Sequence, residues 1–444
     1  MRVAYTHLLA ASTAVALMTA AGYQLASLPV RVNTVLQQLV DSINNTPLPN
    51  NLHLHASQQQ YQRDLFASSG QLNIDLKANG GSVQYALQYQ VAHGISALLS
   101  GATVTARLFS LDSTMRDKSH WSGFLFQREP IRLSGIIKPD RVEVTGIIPA
   151  FKSEVPGRLI HSKPASLTFS ARQPGTQNHW SQTQFRLQLP EVQLWEDSSH
   201  AEGITLTNLR IDTVQNKAGN TLSATMDSRL SQLEIRSPAQ LIQLSDLQLT
   251  SHTQLQNSLK ILWTLNFDRF NSRQLQLQNG HMRLALNGIN GDAVRQLIDV
   301  SQQARHYNWS AEHIRREHAE QLRHLGNQLL SRNPRLTLQA MHVTVPTSGN
   351  RVAGDASFNA EIQLDHTRLP ENFISQLPDN NQALAQLSTA LLATLNINSH
   401  GIATELVQAL LHPAGQPFKQ ALADGNLSFQ LKNGIATLDN SPLQ

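Results

Sequence analysis

Between Leu52 and about Asn290 apolar and polar residues alternate one for one, and that period restricts the fold more than any other feature of the chain. Side chains of a β-strand point alternately to two faces. A run such as Leu72-Asn73-Ile74-Asp75-Leu76 therefore makes a strand with one apolar and one wet face, whereas a helix would scatter the same residues around its axis. Phe185-Arg186-Leu187-Gln188-Leu189, Ile204-Thr205-Leu206, Leu233-Glu234-Ile235, Leu275-Gln276-Leu277 and Met282-Arg283-Leu284-Ala285-Leu286 repeat the pattern. Alternation with Gln, Arg and Asn predicts antiparallel strands, since parallel sheets are apolar on both faces. Asn79-Gly80-Gly81, Ala218-Gly219-Asn220 and Asn279-Gly280 are turn signals, the last lying between two alternating runs as a hairpin.

At Asn290-Gly291-Asp292 the period changes. Val294, Leu297, Ala304, Tyr307, Ala311, Ile314, Leu322, Leu325 and Leu329 recur at helical steps until Pro334, with Asn290 or Asp292 as the cap and Trp309-Ser310 as an internal break. Strands return over 335–345 and 353–364. Pro370 to Leu377, Gln382 to Leu395 and Ile402 to Leu411 read as shorter helices, and Asn426–Leu431 pairs with Ile435–Leu438 through Lys432-Asn433-Gly434.

Ahead of this body, Leu8 to Leu28 contains no charged residue, close to the roughly 20 residues a helix needs to cross a bilayer. Arg2 supplies a positive end that stays cytoplasmic, and Tyr23 stands where an interfacial aromatic belongs. The segment reads as an uncleaved anchor; the alternative is a leader cleaved after Thr19-Ala20-Ala21. Val30 to Ile43 continues at helical spacing as a stalk, which Pro47 and Pro49 end. The expected organisation is an anchor or signal over 1–28, a stalk and linker over 29–50, and an exported body over 51–444 with helical segments near 292–331 and 370–412. The fold class is α+β and β-rich: a long curved antiparallel sheet with helical insertions in its C-terminal half and an N-terminal membrane helix.

Composition narrows the chemistry. The chain has no cysteine, so an exported body must be held by packing and sheet hydrogen bonds, and thiolate metal sites and cysteine nucleophiles are excluded. Its 35 basic and 31 acidic residues are dispersed, with only 5% aromatics, which argues against nucleic acid as a partner.

Several segments in order resemble the YdgA-like family of bacterial envelope proteins, a family of unknown function. They are Gln60-Tyr61-Gln62-Arg63-Asp64-Leu65-Phe66-Ala67-Ser68-Ser69, then Val91-Ala92-His93-Gly94-Ile95, where the family has His-Gly-Pro, then Asn290-Gly291-Asp292-Ala293, and the closing hairpin at Asn433-Gly434. The resemblance implies an inner-membrane anchor with a periplasmic β-rich body and brings no catalytic residues.

Candidate chemistry is sparse. His53-Leu54-His55 puts two imidazoles on one strand face, a spacing that can bind zinc with ligands from elsewhere, but equally an ordinary polar strand edge. His306, His313, His318 and His324 lie in the helical segment with Glu312, Glu317 and Glu320; His313, Glu317 and His318 form an H-x-x-x-E-H string that misses the zinc-peptidase spacings by one residue. A solvated, charge-laced helix face is the expectation there, and His93-Gly94 is expected to be a turn. Neither a nucleophile elbow nor a Walker loop occurs, so no catalytic, cofactor or metal residue is assigned. The functional reading is a non-enzymatic, membrane-anchored periplasmic scaffold or partner-binding protein. The alternative is a lipid-binding or lipid-transfer module using an apolar sheet face, and a carboxylate or histidine hydrolase comes third. The expected partners are the inner membrane, envelope proteins or lipids, and a second copy of the chain.

Overall fold

The computed structural model describes residues 40, 44, 53–63, 67–78, 81–92, 102–110, 130–138, 141–155, 158–172, 181–196, 201–273, 275–306, 311–347, 353–370, 373–376, 381–401, 403–404, 407 and 425–442. The expected anchor at 8–28, the turn at His93-Gly94 and the break at Trp309-Ser310 lie outside these residues. Among the described residues no helix is long and apolar enough to cross a membrane. Of the expected stalk and linker only Val40 and Asn44 are described, and both are helical.

The chain divides into two compact units, residues 1–217 with 235–238, and residues 218–234 with 239–444. The first unit is an antiparallel meander. Its strands are β1 His53–Arg63, β2 Ala67–Ala78, β3 Gly81–Ala92, β4 Ala102–Ser110, β5 Ile131–Ile137, β6 Arg141–Ile148, β7 Phe151–Val155, β8 Arg158–Ser162, β9 Ala165–Arg172, β10 Gln182–Trp195 and β11 Gly203–Ala218. Each of β1 to β5 pairs with its successor; β6 and β7 then fold back on β9 and β8, which pair in turn with β10, and β10 pairs with β11. The predicted alternation becomes a register: Tyr89, Ala106, Leu133, Gly146, Leu167 and Leu187 are successive cross-strand partners from β3 to β10, all buried. Along the outer edge of β1 the Asn44 side chain satisfies both backbone groups of one residue, accepting from Ala56 N at 2.5 Å and donating to Ala56 O at 3.1 Å.

The second unit comprises β12 Thr221–Arg236 as far as Glu234, β13 Leu241–Leu255, β14 Ser258–Asn271 and β15 Gln276–Asn290, then helices α1 Gly291–His306, α2 Ala311–Glu317 and α3 Ala319–Leu330. It continues with β16 Arg335–Val345, β17 Gly354–Leu364, a 3₁₀ turn at His366–Arg368, α4 Phe373–Gln376, α5 Asn381–Ala390, β18 Leu391–Ser399, β19 Asn426–Lys432, β20 Ile435–Leu438 and β21 Ser441–Pro442. From β13 to β21 every strand pairs antiparallel with its successor, so the helices are insertions that leave the meander unbroken. Asn290 caps α1, its Oδ1 accepting from the amides of Asp292 at 3.0 Å and Ala293 at 3.3 Å, which decides between the two expected caps. Ala293, Val300 and Leu325 form the buried seam between α1 and α3.

Two expectations are corrected. Asn279-Gly280 is not a hairpin turn: β15 runs straight through it, with Asn279 at φ +51 and a register shift toward β16 between Gln278 and His281. The pair forms a bulge, and residue 280 has to be glycine because a Cβ there would sit 1.9 Å from the Phe267 ring. The reversal lies earlier, where Ser272 N donates to Leu275 O at 2.8 Å. The helix expected from Gln382 to Leu395 ends at Ala390, and Leu391 to Ser399 is a strand held between β17 and β19. The alternation Leu391, Ala393, Leu395, Ile397 wins there because both flanking strands offer a ladder. The closing hairpin is as expected, with Asn433 at φ +55 and Gly434 at φ +76.

Candidate functional site

In the second unit the register collects apolar side chains into rows that cross six strands, β14 to β19. Trp263, Leu284, Leu338, Ala360, Leu395 and Phe429 are successive partners in one row. On one side of it run Ile261, Leu286, Leu336, Ile362, Ala393 and Leu431, and on the other Leu265, Met282, Met341, Phe358, Ile397 and Leu427. No polar side chain interrupts the three rows. The opposite face carries Thr264, Arg283, Thr337, Glu361, Thr394 and Asn396.

Cover on this apolar face is uneven. At one end Val343, Ala356, Ile397 and Leu427 are buried with Ala403 and Val407, and at the other Leu364 is buried with Leu369, Phe373 and Ala390. Between these covered ends Trp263, Leu284 and Leu395 are half-buried, while Leu336 and Ile362, direct cross-strand partners, are 37% and 47% exposed. Five inter-strand spacings make the strip about 24 Å long. A β-sheet face this apolar is normally packed against another layer, and an uncovered one marks a binding surface. The strip holds no acid, base or nucleophile, so what it can do is exclude water from an apolar ligand.

The residues that the sequence offered as chemistry lie elsewhere and stay apart. His53 and His55 sit on edge strand β1, opposite Lys77 and Asp75. His306 ends α1; the His313 and His318 rings meet edge-to-face with centroids 5.8 Å apart, His318 Nδ1 donates to Gln321 Oε1 at 3.1 Å, and Gln328 donates to His324 Nε2 at 2.9 Å. Glu312 pairs with Arg316 at 2.6 Å, and Glu317 and Glu320 are exposed, so this face is laced with local polar contacts. Among the described residues no three His, Asp or Glu side chains are placed to hold a metal ion.

One titratable cluster escaped the linear reading. Asp355 receives Thr344 Oγ1 at 2.7 Å and lies 3.7 Å from His342 Nε2 and 3.3 Å from His400 Nε2, on the polar face. Across the strand from His342 stands His281, whose Nδ1 meets Asn266 Oδ1 at 2.6 Å. Only register joins residues this far apart in sequence. In the first unit Asp212 lies between Arg186 and Arg210, with Arg210 Nε at 2.5 Å. Partial burial alone would raise its pKa, but the two guanidinium hydrogen bonds outweigh it and hold the carboxyl below its ordinary value.

No curated protein and no solved structure matches the chain. A family profile does, over residues 7–443, and its description is a bacterial protein of unknown function. With almost the whole length matched, the chain belongs to DUF945, a family of bacterial proteins of unknown function.

Proposed function

We propose that the protein is a non-enzymatic, membrane-tethered binder of amphiphiles that holds acyl chains on the apolar strip of its second unit. The observation that carries this is the exposed Leu336–Ile362 pair, on the two middle strands of the six that carry the three uninterrupted apolar rows, between two ends of the same face that are covered. The uncharged run from Leu8 to Leu28 and the YdgA-like resemblance support an inner-membrane anchor with the body in the periplasm. The scaffold reading draws on the long polar faces and the free edges, yet both ends of the strand series are blunted. Strand β21 has two residues, one of them Pro442, and β1 is occupied at Ala56 by Asn44. Short, proline-bearing or capped edges discourage addition of a partner strand.

The test places a photo-crosslinking amino acid at Ile362, and in a second variant at Thr394 on the opposite face, in the full chain expressed in a bacterial envelope. Lipid-mass adducts at 362 and none at 394 support the reading. Protein adducts at 362 would move the assignment to a scaffold, and equal lipid labelling at both positions would remove the strip's claim to specificity.

A further inference from the structure

On the polar face of the first unit, Arg107 of β4 and Arg132 of β5 are direct cross-strand partners. Like charges in that relation repel, their Cβ atoms standing about 5 Å apart. Elsewhere on this face the sheet resolves the same problem internally. Arg186 and Arg210 share Asp212, and Arg141 has Glu143 at 3.6 Å. Among the described residues Arg107 and Arg132 have no such carboxylate.

The two guanidinium groups lie in a trough of about 830 Å³, a volume within the range of small-molecule sites. Its other functional groups are donors or neutral. Gln88 is the strand neighbour of Arg107, and Thr105, Ser134 and Thr145 form the adjacent row, with Ser134 Oγ and Thr145 Oγ1 3.0 Å apart. Ile147, the partner of Arg132 on its far side, is 59% exposed and gives the trough an apolar wall.

We propose that this trough binds a phosphate-bearing anion, the guanidinium pair taking the phosphoryl oxygens and Ile147 contacting an organic substituent. Guanidinium forks match phosphate oxygens bidentately. A bound anion stands where Asp212 stands for Arg186 and Arg210. A tetrahedral phosphate offers more acceptor oxygens than a carboxylate, and the three hydroxyls beside the arginines can use them. This site lies in a different unit and on a polar face, so it stands or falls independently of the acyl-chain reading.

The experiment titrates the full chain in a phosphate-free maltoside detergent by calorimetry, first with inorganic phosphate and then with short-chain dihexanoyl phosphatidylglycerol. Both should bind, and Arg107→Gln and Arg132→Gln should each weaken binding roughly 10- to 100-fold, the loss of one charge-assisted contact. Arg172→Gln, an exposed arginine outside the trough, should leave it unchanged. Equal affinity for the two probes identifies a free-phosphate site; tighter binding of the glycerolipid, abolished by Ile147→Ser, identifies a headgroup site. Because removing one of two opposed cations relieves repulsion, Arg107→Gln should also unfold no earlier than the parent chain, so lost binding cannot be put down to misfolding. Absence of binding by either probe, or binding indifferent to both arginine substitutions, overturns the proposal.

Discussion

Ile362 and Ile397 provide a controlled comparison of covered and uncovered sheet. Both are isoleucines on the same face of the second unit, in strands paired on both sides, yet one is 47% exposed and the other 3%. Replacing isoleucine by threonine keeps the β-branched shape and removes about two methylene equivalents, each worth ~0.8 kcal/mol when fully buried. At Ile397 the full transfer loss of ~1.6 kcal/mol applies, and a hydroxyl placed among Val343, Ala356 and Leu427 adds ~1–2 kcal/mol, for a total of about 3–4 kcal/mol. At Ile362 about half the transfer loss applies and the hydroxyl can reach water, so about 1 kcal/mol is expected. Hydrogen exchange of the β17 and β18 amides in the delipidated full chain measures both, and the difference should appear as a roughly 30- to 150-fold gap in local opening. Equal costs at the two positions would show that Ile362 is core in solution, and the acyl-chain reading would lose its basis.

Three further substitutions test separate steps of the argument. Gly280→Ala should cost about 1–3 kcal/mol by forcing a methyl into the Phe267 ring, and Phe267→Leu should recover part of that cost; additive losses in the double-mutant cycle would refute the close-approach account of the bulge. Asn290→Ala should remove about 1 kcal/mol of protection from the first turn of α1, read by amide exchange at Asp292 and Ala293, with unchanged exchange counting against the cap. For Asp212 the folded pKa is depressed, so its contribution is fully present above the unfolded carboxyl value near 3.8 and is lost as pH falls through the lower folded value. Asp212→Asn should therefore flatten the acid limb of the first unit's denaturation midpoint below about pH 4, and an unchanged acid limb would show that the arginine contacts do not persist in solution.

Strand identity was legible because it depends on a local period, and β16, β17 and the closing hairpin fall where that period puts them. Two stretches carry competing local signals. Leu384, Leu387 and Ala390 extend at helical steps into Leu391, hiding the alternation that begins there, and Asn279-Gly280 has the composition of a turn while Phe267, thirteen residues before the glycine, requires it for packing. The candidate sites were illegible for a different reason. The Leu336–Ile362 pair and the Arg107–Arg132 pair exist only through register between strands, and the exposure of the first depends on where the cover provided near Ala403 and Leu369 stops. No property of an isolated strand carries that information.

The same alternating pattern therefore has two outcomes in one chain. In the first unit the row from Tyr89 to Leu187 is buried throughout, whereas in the second the row containing Leu336 and Ile362 is not. A meander tolerates the second outcome because each strand is secured by its sequence neighbours, so its stability is close to a sum of adjacent pairings, as in repeat proteins, and an uncovered stretch weakens only its own locality. With no cysteine to brace the chain, that local additivity is what keeps an apolar strip compatible with a folded sheet. The strip costs burial that a second layer would have provided, about 1 kcal/mol for each half-exposed aliphatic side chain. A ligand that covers it returns that free energy on binding, so the positions that contribute least to folding are the ones where occupancy should be most visible as added protection from exchange.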